Sequence, residues 1–162
     1  MTAEQGAMVT RPAVTPSLEA ASLEDTGAFL RAAGLIFDEI TATRVTGHLD
    51  LGPDHHTPWG IVHGGVYTTA VESAASVGAS TAVRDQAQVA VGLTNTTHFL
   101  RSATQGRVSV DATALSQGRT QQLWRVDITD ESGRLIAHGE VRLQNVAAVS
   151  QPERGGPRVS PR

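Results

Sequence analysis

The chain has 162 residues, of which 40% are hydrophobic and 4% aromatic, carries a formal net charge of -3 and contains no cysteine. That length suits one domain, with a core packed mostly by Val, Ala, Leu and Ile. The charge gives no long-range pull toward nucleic acid or an acidic membrane, and without cysteine there is no disulfide framework, thiol nucleophile or zinc-thiolate site. A cytoplasmic location is compatible with this composition.

Residues 1–17 hold Glu, Gln, Arg and two prolines but no apolar run long enough for a signal peptide or a membrane helix, so they read as a disordered leader. The folded domain is expected over 18–146. At its start, SLEAASLEDTGAFLRAA over 17–33 is rich in helix formers, with Leu23, Phe29 and Leu30 available for burial and Gly34 as a terminator. This short helix caps the fold or lies across a ligand site. LIFDEI (35–40) and RVTGHLDL (44–51) read as a hairpin, the second strand alternating Val45, Gly47, Leu49 and Leu51 against Arg44, Thr46, His48 and Asp50. The segment from Gly52 to Pro58, with two prolines, is expected to be irregular. It carries His55 and His56, but no acidic or cysteine partner stands at a ligand spacing, so no metal site is expected.

The next stretch, TPWGIVHGGVYTTAVESAAS from Thr57 to Ser76 and on to Ser80, is a loop feeding a helix. At 100° per residue, Val66, Tyr67, Ala70, Val71, Ala74, Val77 and Gly78 fall on one side, and Gly65, Thr69, Glu72, Ser76 and Ala79 on the other. Glu72 is the helix's single charged residue, which suggests that even the polar face is covered. A covered carboxylate has a partner or a task, and an ordinary surface or ion-paired glutamate is the alternative. Gly64 and Gly65 let the backbone turn tightly into the helix, whose first amides point outward without intrahelical acceptors and form an anion site. For an acyl carbonyl held there, the Gly64 N–H is an oxyanion donor and Glu72, two turns on, faces the same ligand. His63 is a hydrogen-bonding wall of that site or a packed, satisfied imidazole.

Beyond the helix, 88–100, 107–117, 120–129 and 134–146 read as strands, with clear alternation in Val108, Val110, Ala112, Ala114 and in Trp124, Val126, Ile128. Asp130 to Gly133 is a turn signal, and Gln117-Gly118-Arg119 marks a break or bulge. The expected fold class is α+β, about six antiparallel strands wrapping one central helix. The tail 147–162 is expected to be disordered.

The pattern W-G-I-V-H-G-G-x-Y with Glu72 nine positions after His63, and Ser76 one turn beyond, resembles the hotdog-fold acyl-CoA thioesterases of the phenylacetyl-CoA, 4-hydroxybenzoyl-CoA and 1,4-dihydroxy-2-naphthoyl-CoA type. The similarity runs from about Gly34 to about Val146 and includes VGLTNTTHFLRSATQG and GRTQQLWRVDI. It implies a hydrolase acting on an acyl-CoA thioester, with Glu72 as nucleophile or general base, the Gly64 amide polarising the carbonyl and Ser76 orienting water or the carboxylate. Gly65, Arg101, Arg119 and Thr120 are implied contacts of the substrate and its CoA moiety, Arg119 and Thr120 at a strand break that offers a guanidinium, a hydroxyl and amides to phosphate. No cofactor is implied beyond the CoA of the substrate, and a homodimer or homotetramer with sites at the subunit interface is expected, since a lone subunit leaves sheet edges open. One position departs from the family. Relatives carry Gln or Asn six residues before the histidine, where this chain has Thr57; His56, His63 or Asn95 are the candidates to replace it, and a site without a second carbonyl contact is the alternative. A noncatalytic acyl-CoA-binding protein is the alternative function. A hotdog hydratase needs an Asp and His pair or an HFPG-like loop, and neither is present.

Overall fold

The structure is a computed structural model that describes residues 27–148. The leader expected over 1–17, Leu23, and the tail from 149 onward lie outside the described residues. Helix α1 spans Ala28–Ala33, ended by Gly34 in the left-handed region at φ 75°. Strands β1 (Ile36–Ile40) and β2 (Arg44–Leu51) form the expected hairpin, closed by Thr41, whose N–H and hydroxyl both donate to the Arg44 carbonyl at 2.8 and 2.7 Å. In the Pro-rich loop, Pro53–His55 form a single 3₁₀ turn where irregular chain was expected. The first helical position tolerates proline because its missing N–H has no acceptor there.

Helix α2 runs Gly64–Val83, followed by a 3₁₀ turn at Arg84–Gln86, and then come β3 (Gln88–Phe99), β4 (Gly106–Gln117), β5 (Gln121–Asp130) and β6 (Leu135–Ala147). The six strands make one antiparallel sheet in the order β1-β2-β4-β5-β6-β3, leaving β1 and β3 as its edges. Ala147, placed at the start of the tail by the sequence reading, belongs to β6 and pairs with Gln88. The Gln117-Gly118-Arg119 break is the tight β4–β5 turn, and the bulge sits just before it, between Ala114 and Ser116.

The sheet curls around α2, as the resemblance implies, and the core lies between them. Its buried members include Val45, Leu49, Val110, Trp124, Val126, Ile128, Val141 and Leu143 from the strands. On the helix, the buried residues are Tyr67, Ala70, Val71, Ala74, Ala75, Gly78, Ala79 and Val83. The sequence reading placed Ala79 on the polar side and Val66 and Val77 on the apolar one; Ala79 is fully buried and the two valines are half-buried. The concave sheet takes more of the helix circumference than a flat layer does, so the buried arc is wider and is rotated by about one position.

A Cβ on Gly78 would stand 2.4 Å from the Trp124 ring and 2.9 Å from Val45 Cγ2, so the missing side chain is what lets the indole lie against the helix. Trp124 is fully buried and donates Nε1–H to Gln122 Oε1 at 3.1 Å. Gln122 in turn donates to the Ala79 carbonyl and to Asn145 Oδ1, both at 2.9 Å, and Asn145 donates to the carbonyls of Gly118 and Arg119 at 3.1 and 3.2 Å. This buried network ties the C-terminal part of α2 to the β4–β5 turn. The solvent face of the sheet is charged instead, with Arg44 on Asp111 at 2.6 Å and Arg107 on Asp50 at 2.7 Å. The hydrogen bonds from Arg44 and Arg107 hold those two carboxyls below the ordinary aspartate range.

Gly78→Ala is therefore expected to overpack the core at Trp124 and to lower stability by about 1–3 kcal/mol. Denaturant unfolding monitored by tryptophan fluorescence measures it, and an unchanged midpoint would show that the indole has room to retreat.

Candidate active site

The N-terminus of α2 is built by the loop that precedes it. Thr57 shapes that loop: its N–H and hydroxyl both donate to the Ile61 carbonyl, at 2.7 and 3.1 Å, and its own carbonyl accepts from Gly60. The hydroxyl is thus engaged in a turn, not turned toward a ligand. His56 Nε2 lies 2.5 Å from the Thr104 carbonyl, and His55 Nδ1 accepts the Gly52 N–H at 3.2 Å. Both histidines brace loops, and among the described residues no group of three or more His, Cys, Asp or Glu is arranged to hold a metal ion.

His63 is the N-cap of α2. Its Nδ1 accepts the Gly65 N–H at 2.8 Å and its carbonyl accepts the Val66 N–H at 3.0 Å. In the neutral ring the proton therefore sits on Nε2. The Gly64 N–H between them has no acceptor among the described residues. The donor expected from the sequence is available, and Gly65, whose amide is occupied by the cap, is not.

Glu72 lies half-buried where α2 faces the edge strand β3. Asn95 Nδ2 donates to its Oε2 at 2.9 Å and Ser76 Oγ donates to its Oε1 at 3.3 Å. Thr97 fixes the Asn95 amide by donating to Oδ1 at 2.7 Å, which leaves Nδ2 to face the carboxylate. The carboxylate also packs onto Gly92, where a Cβ would come within 2.3 Å of Oε1. A bulge between Gly92 and Thr94 shapes β3 at this point. Asn95 thus serves Glu72, not the loop position opposite Thr57. Sequence reasoning missed Gly92, although an isolated glycine inside a strand pattern is a signal of close approach.

Gly64 and Glu72 are eight residues apart on one helix, so their backbones are separated by about 12 Å along its axis. Reacting atoms must approach to about 3–3.5 Å, so the gap is closed either by the Glu72 side chain, which leans toward the helix N-terminus, or by a second chain. The residues expected to contact a nucleotide are split more widely. Arg101 follows β3, donates Nη1–H to the Leu135 carbonyl at 2.5 Å, and lines an open cavity of about 780 Å³ between the β3–β4 connection and the β5–β6 turn. Arg107 and Arg134 line the same cavity but are committed to Asp50 and Asp130. Arg119 and Thr120 are exposed in the β4–β5 turn, beside the C-terminal part of α2. The twelve residues of β4, roughly 35 Å of strand, lie between the two ends.

Two aromatic residues at Gly64 were given no site role by the sequence reading. The Phe99 ring lies 2.9–3.1 Å from where a Gly64 Cβ would stand, and it is 55% exposed. Tyr67, one turn after Gly64, is tilted against Phe99 with ring centroids 6.4 Å apart. Its hydroxyl is buried and has no hydrogen-bond partner among the described residues, and burial pushes the phenol pKa up. The i, i+3 spacing of Gly64 and Tyr67 was the available signal.

Gly92→Ala is expected to displace the Glu72 carboxylate while leaving the fold intact. Turnover should fall at least about tenfold if the carboxylate position matters to chemistry, with melting temperature within a few degrees of the parent; full activity would mean the site tolerates a moved carboxylate.

The sequence pattern of the Thioesterase superfamily matches residues 60–137, which include Gly64, Glu72, Asn95 and Arg119. Rv1847 of Mycobacterium tuberculosis, named as an esterase, is 41% identical over 130 residues, covering 79% of this chain and 93% of that protein. Its solved structure superposes with a TM-score of 0.72 over 75% of this chain and 98% of that one. The crystal structure of AziG from S. sahachiroi is 38% identical, with a TM-score of 0.72 and coverage of 75% and 98%. The 1,4-dihydroxy-2-naphthoyl-CoA thioesterase 2 of Arabidopsis thaliana is 37% identical over 98 residues, 60% of this chain and 61% of that protein. With the wrapped helix and the free amide at its N-terminus, these similarities place the chain in the thioesterase superfamily, as a thioester hydrolase of the hotdog fold.

Proposed function

We propose that the protein hydrolyses an acyl-CoA thioester to the free acid and CoA, with the Gly64 N–H binding the carbonyl oxygen and Glu72 attacking the carbonyl carbon or activating water. The observation that carries this reading is the pairing of an unclaimed amide at a helix N-terminus with a half-buried carboxylate held by two neutral donors, Asn95 and Ser76. As base, Glu72 takes a proton from water, the hydroxide adds to the carbonyl, and the oxyanion is held at Gly64 until the CoA thiolate departs. As nucleophile, a Glu72 oxygen adds directly, expels the thiolate and leaves an anhydride that water opens. Neutral donors suit both routes, because they orient the carboxylate without placing a cation against it.

The 12 Å separation along α2 is reconciled with one reaction centre by a second copy of the chain. Strand β3 is an edge, and its Leu93 is 49% exposed. Antiparallel pairing of two β3 strands sets the Gly64 end of one chain beside the Glu72 and Arg119 of the other. In that arrangement the amide and Arg101 come from one subunit, and the carboxylate, Arg119 and Thr120 from its partner. The CoA phosphates then meet guanidinium and hydroxyl groups at the rim while the pantetheine leads inward.

Glu72→Gln keeps the shape and loses the base, so hydrolysis of acyl-CoA is expected to slow at least about a hundredfold, with binding retained. Wild-type turnover in this variant, or binding without hydrolysis by the wild type, would sink the proposed chemistry. The two-chain site is tested by complementation. Gly64→Pro deletes the amide at a helical position where proline is tolerated, behind a residue, His63, that is already extended at φ -68° and ψ 130°, and requires only the tip of the half-exposed Phe99 ring to give way. Each variant alone should be inactive, whereas heterodimers of Gly64→Pro with Glu72→Gln chains should regain one intact site; no recovery would argue that both groups act within one chain.

A further inference from the structure

We propose that the Tyr67 hydroxyl is the second hydrogen-bond donor to the substrate carbonyl, acting beside the Gly64 N–H. The inference rests on the thioesterase reading above and concerns a residue that reading does not use.

Three observations converge on it. The first is elimination. Thr57 occupies the loop position at which a longer amide was expected, and its hydroxyl is spent on the Ile61 carbonyl. Asn95 is spent on Glu72 and on the Thr68 carbonyl and His56 Nε2 on the Thr104 carbonyl, while His63 Nδ1 is spent on the Gly65 amide, which leaves only its Nε2–H as a competing donor. Ser76 is spent on the carboxylate. The second is cost. Tyr67 is 3% exposed, and its oxygen lacks a partner among the described residues. A buried hydroxyl without a partner is unfavourable, and such a group retained at a reactive end of the fold points to a partner that arrives with the substrate.

The third is direction. Side chains on a helix lean toward its N-terminus, so the phenol of Tyr67 reaches back over the turn that begins at Gly64. Phe99 touches this same turn at Gly64 and tilts against the Tyr67 ring. Phe99 is half-exposed in the single chain, at the end of the edge strand, and is the side chain that an incoming acyl thioester displaces to reach the hydroxyl. The phenol remains protonated at neutral pH because burial disfavours its anion, so it is available as a donor. Two donors then share the charge that develops on the carbonyl oxygen, one from the backbone and one from the turn above it.

The test is Tyr67→Phe in the full chain, read in three ways. Loss of one oxyanion donor should lower kcat by roughly tenfold to a hundredfold or more, with KM little changed. Removing an unsatisfied hydroxyl should leave the melting temperature unchanged or higher, the opposite of what a structural hydrogen bond gives. The carbonyl stretch of a benzoyl-CoA thioester bound to Glu72→Gln protein should move back toward its value in water when Tyr67→Phe is added. An unchanged kcat and carbonyl band would overturn the inference, as would a lowered melting temperature with an unmoved band. The band also decides when both kcat and stability fall, since a structural role does not polarise the carbonyl. If the wild-type protein fails to hydrolyse any acyl-CoA, it is the proposed function that fails, and the carbonyl band still tests the hydroxyl on the bound thioester.

Discussion

A helix enclosed by a curled sheet can come close to it only if its own side chains are small, and that requirement governs this molecule. Gly78 lets the Trp124 indole lie on the helix, and Gly139 lets Val71 approach β6, where a Cβ would come within 2.5 Å. The same thinness leaves α2 with one charge in twenty residues. Because its sides are claimed by the core, the helix offers chemistry at its N-terminal end and along the flank that faces β3. Both carry polar groups chosen for direction, the free Gly64 amide at one and the Glu72 carboxylate on the other.

Two kinds of carboxylate coexist in this small domain. On the solvent face of the sheet, Asp50 and Asp111 are paired with arginines, which lowers their pKa and ties up their oxygens. Glu72 is different, because its oxygens accept from an amide and a hydroxyl, and Thr97 behind Asn95 keeps that amide facing it. Each oxygen retains a lone pair for water or for a carbonyl carbon. A carboxylate oriented by neutral donors remains able to act, whereas one locked to a guanidinium gives up much of its reactivity.

The geometry along the helix sets the scale of the site. The separation of Gly64 from Glu72 and of Arg101 from Arg119 is a property of one chain, and in the proposed two-chain site the open β3 edge is where a neighbour would close the gap. Strand order carries this consequence: had β3 been interior, the carboxylate flank of α2 would be roofed by the same chain's sheet and no neighbour could reach it.

Much of this was legible in the residues. Period-two alternation in Val108, Val110, Ala112 and in Trp124, Val126, Ile128 located inward faces because a strand reverses its side chains at every step. Two glycines before a proline-free run placed the helix start, and a lone charge among small residues singled out Glu72. Those are local properties, written into neighbouring positions. The partners of these residues were not local. Asn95 reaches Glu72 from 23 residues away, Gly92 makes room for its oxygen, and Phe99 covers Gly64 from 35 residues away; each follows from how a bulged edge strand passes the helix. Likewise, Thr57 was consumed by its own turn and Arg119 stood at the far end of β4, because side-chain chemistry says what a group can bind, and only the path of the backbone decides what it meets.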